Sequence, residues 1–168
     1  MTQWNIDAGH SQIGFKVKHL GIANVSGYFR KFSGTVQTGN DDFENAGVTF
    51  TLEVASIDTN NTERDAHLSS SLFFDAARFP TIHFTGLLAD DTLKGELTIL
   101  NNTRPVSLQV EHTGSGIGRF NDHRAGFELS GKINRKDFGL NFHLLNEAGN
   151  LIVGDEVKLS GEIELIRL

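Results

Sequence analysis

The sequence predicts an all-β domain: about eight antiparallel strands closed into an extended barrel, interrupted by one short helical insert. Three observations carry this. Apolar and polar residues alternate with period two along nearly the whole chain. Only 2 Pro occur in 168 residues, so long strands run unbroken. Four glycines, Gly86, Gly95, Gly131 and Gly161, stand on the apolar phase, where a core side chain is expected. Glycine there marks either the bends of a strongly coiled barrel or room left inside it. Both favour a barrel over a flat sandwich.

The strands follow in order. In "SQIGFKVKHLG" (11–21), Ile13, Phe15 and Val17 share one phase. Gln12, Gly14, Lys16 and Lys18 take the other, and His19 falls on the apolar phase. A weaker alternation covers 27–32. Val48, Phe50, Leu52 and Val54 define the next strand against Thr49, Thr51 and Glu53. Residues 82–86 are again weaker. Leu93, Gly95, Leu97 and Ile99 follow, then Val106, Leu108 and Val110. Phe127, Leu129, Gly131 and Ile133 form the seventh group, and Val157, Leu159, Gly161, Ile163 and Leu165 the last. One wet and one dry face per strand is the signature of antiparallel sheet.

Between them lie stretches rich in Gly, Asn and Asp that read as turns: "TGNDD" (38–42), "ADDT" (89–92), "NNTRP" (101–105), "TGSGIG" (113–118) and "NEAGN" (146–150). Residues 60–80 break the period. Asn60 with Glu63 reads as a capping box, Leu68, Leu72 and Phe73 lie at helical spacing, and Pro80 closes the segment. One or two short helices are expected there. Nothing divides the chain, so residues 1–168 read as a single domain.

Composition excludes several classes. Cys is 0, which removes disulfides and thiolate metal sites. The net charge of −6 disfavours a partner held through phosphates, so no nucleic acid is expected. No window reaches the roughly 18 apolar residues of a spanning helix, so no transmembrane segment is expected. "MTQWNIDAGH" has neither a basic nor an apolar leader region, which places the chain as written in the cytoplasm, or in the periplasm if a signal has been removed. The seven His form no H-x-H or H-x₃-H pair, and no metal is expected.

The chain resembles the YceI-like family of bacterial lipid-binding proteins. The likeness rests on "WNIDAGHSQIGFKVKHLG" at the start, "VSGYFRKFSG" (25–34), "SIDTNNTERDAHLSSSLFFDAARFPTIHF" (56–84), "AGFELSGKINRKDFGL" (125–140) and "VGDEVKLSGEIEL" (153–165), five pieces in order. The resemblance implies a lipocalin-like barrel with a helical insert, a long pore holding a polyisoprenoid or related amphiphile, and a homodimer. One departure is Asn101, where the family carries Gly. Asn tolerates positive φ, so the same turn is expected.

An apolar tail needs an apolar lining and a few polar groups to place its head. The inward phases supply Phe15, Val17, His19, Phe50, Leu52, Val54, Ile82, Phe84, Leu97, Ile99, Leu108, Phe127, Leu129, Val157 and Leu159. A solid core is the alternative use of the same residues. His19, Arg64 and Asp65 are the candidate polar contacts. Each also has a structural reading: a hydrogen-bonded core histidine, an ion-paired arginine, an acid favoured in a first helical turn. "NRKDFG" (134–139) reads as a turn network. No catalytic residue is expected: there is no G-x-S-x-G elbow, and "TGSGIG" opens no helix. No cofactor is expected beyond a bound isoprenoid, quinone or fatty-acyl ligand. A lipid-modifying enzyme using the same pocket and a dimeric stress-related interaction protein are the rival readings.

Overall fold

A computed structural model describes residues 1–39, 42–141 and 153–168. The turn expected at 146–150 therefore lies outside the described residues, as does part of that at 38–42.

Among the described residues, eleven strands form one antiparallel sheet: β1 (Thr2–Ile6), β2 (Gln12–His19), β3 (Ala23–Phe29), β4 (Phe32–Thr38), β5 (Ala46–Glu53), β6 (Ile57–Asp58), β7 (Thr81–Ala89), β8 (Thr92–Ile99), β9 (Asn102–Ile117), β10 (His123–Asn134) and β11 (Val153–Arg167). Pairing makes them eight staves. Strand β11 pairs β2 with its first half and β1 with its second, so β1 and β2 are one stave broken at the 3-10 turn Ala8–His10. In the same way β3 and β4 face β2 and β1, and β5 and β6 face β4 and β3. Each stave pairs the next in sequence, and the β1–β11 pairing closes the ring. The expected eight-stranded antiparallel barrel is present. Strand β1 was not visible in the pattern: its five residues carry only Trp4 and Ile6 on one phase.

Local chemistry sets the hairpins. Asp90 and Asp91 have φ of 51° and 59°, and Leu100 and Asn101 have 52° and 63°. Two consecutive positive φ values give the two-residue turn whose twist matches a hairpin, and Asn101 serves it as expected. The turn is confined to those residues, so Asn102–Pro105 already belong to β9. Pro105 is tolerated because β9 pairs β10 only from Gln109 onward. Residues 113–117, expected as a turn, are also strand. The register slips between Gly126 and Phe127, which leaves Thr113 as an extra residue in β9.

The insert holds one helix, α1 (Thr62–Ser69), followed by turns rather than a second helix. Its cap is Asn61, not Asn60: the Asn61 side chain accepts from the Arg64 amide at 3.0 Å, while Asn60 sits at positive φ. Leu68 packs on the core, whereas Leu72 is 71% exposed.

Candidate functional site

The barrel is hollow. A cavity of about 680 Å³ runs from Ile6, Val36, Phe43 and Leu165 at one end to α1 at the other. The first end is plugged. Phe43 stands at positive φ and packs against Trp4 and Phe127, each at 5.0 Å between centroids, with His112 at 5.6 Å. At the second end the wall includes the exposed residues Lys18, Asn61, Glu63, Arg64 and His67, which mark where it meets solvent.

The inward glycines explain how such a lumen stays open. A Cβ on Gly95 would lie 2.7 Å from the Phe84 ring and 2.2 Å from the Thr85 carbonyl, and one on Gly86 2.8 Å from the same ring. Gly86 and Gly95 are cross-strand partners. Leu108 fills the space beside Gly131, and Leu129 that beside Gly161. The glycines are not empty spaces facing the lumen. They are recesses into which neighbouring side chains lie back along the wall, so those side chains do not fill the centre.

Every proposed lining residue except Val54 contributes to this wall: Phe15, Val17, His19, Phe50, Leu52, Ile82, Phe84, Leu97, Ile99, Leu108, Phe127, Leu129, Val157 and Leu159. Val54 continues the phase of β5, but the strand ends at Glu53. Val54 enters a 3-10 turn and is buried in the core beside the cavity instead. The rings of Phe50 and Phe84 stack at 4.8 Å and 15° within the wall.

Of the polar candidates, His19 and Arg64 line the cavity and Asp65 does not. Asp65 Oδ1 accepts from the Thr59 amide at 2.8 Å and from Thr59 Oγ1 at 2.5 Å. Arg64 Nε donates to Thr59 Oγ1 at 2.8 Å, and a terminal nitrogen donates to the Thr59 carbonyl. Buried Thr59 is thus clasped by both residues, which fixes α1 to the barrel. His19 ends β2, half-buried, and its imidazole has no hydrogen-bond partner among the described residues.

Arg135 was not singled out by the sequence. It opens the 3-10 turn Arg135–Phe138, capped by the Asn134 side chain and ended by Gly139 at φ 83°. Only 2% exposed, it lines the cavity. Nε donates to the Gly154 carbonyl at 2.9 Å, and another nitrogen to the Leu140 carbonyl at 2.6 Å. The Asp155 carboxylate lies 3.2 Å away, paired by charge rather than by an aligned hydrogen bond. Burial pulls the guanidinium pKa below its usual value, and Asp155 partly offsets that. The turn network read in 134–139 is present, but its pattern gave no sign that the arginine points inward.

Outside the barrel, Asp7, His10 and Glu164 converge with ligand atoms within 4.8 Å of one another. Arg124 sits among them and donates to Asp7 at 2.8 Å, Glu164 at 2.6 Å and Asp122 at 2.6 Å. A guanidinium therefore already occupies the group's centre. Arg124, then His10, hold the Asp7 carboxyl below the usual carboxylate range.

A family model described as the YceI-like domain matches residues 4–165. The chain belongs to the YceI-like family. It is 35% identical to a UPF0312 protein of Staphylococcus epidermidis over 98% of this chain and 97% of that one. Among solved YceI-like structures, the YCEI protein of Campylobacter jejuni is 30% identical, with a TM-score of 0.74 over 90% of each chain. A polyisoprenoid binding domain from Saccharophagus degradans shares the fold at 14% identity, with a TM-score of 0.73 over 97% of each chain. Among the described residues, no helix of this YceI-like chain is long and apolar enough to cross a membrane.

Proposed function

We propose that the protein binds a long-chain isoprenoid or related amphiphilic lipid, tail in the lumen and head toward α1, and carries or sequesters it without chemical change. The observation that carries this reading is the lumen: about 680 Å³, walled by aliphatic and aromatic side chains, plugged by Phe43 at one end and polar at the other. Its size falls within the range of small-molecule pockets. Each buried CH₂ contributes roughly 0.8 kcal/mol, so a five-carbon unit contributes about 3–4 kcal/mol before ordering costs. The tail alone supplies the affinity, and the head sets orientation. A related fold described as polyisoprenoid binding supports the class of ligand. A quinone or fatty-acyl chain presents the same kind of tail.

Native mass spectrometry of the purified protein, followed by organic extraction, tests the proposal. The expected result is a lipid adduct, or uptake of added polyprenyl or fatty-acyl ligand, with the ligand recovered unchanged. No adduct and no uptake would overturn the binding reading. Conversion of the ligand would replace a carrier by an enzyme.

A further inference from the structure

The cavity mouth is edged by apolar side chains that the fold leaves uncovered. Ile22, 82% exposed, and Leu20, also exposed, form the tip of the β2–β3 hairpin. Beside them in the chain, His19 and Lys18 on β2 line the cavity, as does Val25 on β3. On the insert, exposed Leu72 stands next in the chain to Phe73, another residue of the wall. The fold does not account for Leu20. It takes φ 54° ahead of Gly21 at 68°, and the Ile22 amide donates to the His19 carbonyl at 3.1 Å. Asn suits the first position of such a turn, whereas a left-handed Leu costs stability. Leu100 holds the same position in the β8–β9 turn, but its side chain packs on the core. Leu20 takes no part in that core.

The hairpin is also basic. Residues 8–40 hold Lys16, Lys18, Arg30 and Lys31 and no Asp or Glu, on a chain of net charge −6. Arg30 pairs with Asp58. Lys16 and Lys18 are exposed and, among the described residues, have no ion-pair partner. At the rim itself Lys18 and Arg64 stand against one acid, Glu63. An apolar tip flanked by unpaired lysines matches a bilayer with anionic head groups. The acyl boundary takes the apolar side chains, and the phosphates take the ammonium groups. A nucleic acid would leave Leu20 and Ile22 in water. Two side chains on a hairpin tip offer too little surface for a specific protein interface.

We propose that the tip of the β2–β3 hairpin, Leu20 to Ile22 with Lys16 and Lys18 behind it, inserts into the surface of an anionic bilayer. The cavity mouth is thereby seated on the bilayer, and a lipid passes between the two without crossing water. The transfer step rests on the lumen being a lipid site, whereas the docking stands on the hairpin alone. Insertion is shallow and reversible, because two apolar side chains and two lysines suit exchange rather than anchoring.

Cosedimentation with vesicles tests this. Vesicles are made of phosphatidylcholine alone or with about one-third phosphatidylglycerol. The wild type is expected to sediment with the anionic vesicles at low salt and to be largely released at about 1 M salt. Leu20→Asn combined with Ile22→Ser keeps the turn and removes the apolar tip. Binding is then expected to fall about tenfold or more. Lys16→Gln is expected to weaken it about fivefold. Phe120→Ser removes a ring as exposed as Ile22 from the β9–β10 turn and is expected to change nothing. Circular dichroism reports the folding of each variant. Transfer of a polyprenyl ligand from anionic vesicles is expected to quicken with vesicle concentration in the wild type, as collision requires, and not in the tip variant. Uptake of the same ligand from detergent is expected to be equal in both, since neither Leu20 nor Ile22 belongs to the cavity wall. A wild type that ignores anionic vesicles would overturn the proposal. So would a tip variant that binds them as the wild type does, or a Phe120→Ser variant that loses binding equally. No uptake from detergent would overturn the lipid reading of the lumen instead. Cosedimentation of the wild type but not of the tip variant would still support the docking.

Discussion

Phe15 lies back into the space above Gly27, its cross-strand partner on β3: a Cβ on Gly27 would stand 2.3 Å from the ring. The pair keeps an aromatic side chain on the wall while leaving the lumen open. Gly27→Ala drives the ring toward the cavity, an overpacking that costs about 1–3 kcal/mol. The expected outcome is a lower urea midpoint together with reduced ligand uptake. Unchanged values in both would show that Phe15 has another low-energy position.

Arg135 ties Leu140 and Gly154 together from inside the barrel wall. Arg135→Ala leaves at least three carbonyls, those of Leu140, Gly154 and Val153, without their donor, while Asp155 keeps Lys136 at 3.3 Å. Losing hydrogen bonds from a buried, charged donor costs roughly 1.5–3 kcal/mol. Denaturant titration should show that loss, and Arg135→Lys should recover only part of it, since a single ammonium cannot reproduce the fork of donors.

Acid should unfold the protein partly through Asp7. Its carboxyl pKa is held below the ordinary value of 3.8 in the folded state, by Arg124 first and His10 second. The resulting stabilisation is fully present above that ordinary value. It is lost as pH falls through the lower, folded pKa. Asp7→Asn should flatten the dependence of stability on pH below about 4, measured by thermal melts across a pH series. A variant with the wild-type slope would place the acid sensitivity elsewhere.

Leu129 occupies the mid-wall and covers Gly161. Leu129→Arg puts a charge into an apolar lumen. It should abolish lipid uptake in a folded protein, read by native mass spectrometry beside circular dichroism. Retained uptake would show that the ligand does not reach this level of the barrel.

His19 is the polar group on the otherwise apolar inward phase of β2. We propose that its ring, which lines the cavity, contacts the ligand rather than serving as a structural bond. His19→Phe should leave the melting temperature within a few degrees of wild type, a shift worth less than about 1 kcal/mol, and change which head groups are retained on extraction. A large loss of stability with unaltered ligand preference would mark it as structural.

Much of the wall was legible because alternation is a local property. Phe15, Leu97 and Leu159 could be placed inward from their neighbours alone. Val54 could not, because a phase carries no notice of where a strand ends, and a 3-10 turn begins at that residue. Asp65 and Arg64 were indistinguishable as candidates until Thr59 showed where each reaches. Arg135 stayed hidden because its inward direction comes from a turn, where period two says nothing.

By itself the sequence determined which side chains turn inward along the strands, Val54 apart, and where the hairpin at Asp90–Asp91 falls; it marked the turn at Asn101 but drew it out to 105, where the structure confines it to Leu100–Asn101. Both follow from backbone sterics over a few residues. Only the tertiary structure decided that the ring closes, that side chains lie back on glycines and leave a lumen, and that Lys16 meets Lys158. Register across so long a stretch of chain is fixed by the pairing of whole strands. A one-residue slip would reverse every face, and no local pattern records which pairing wins.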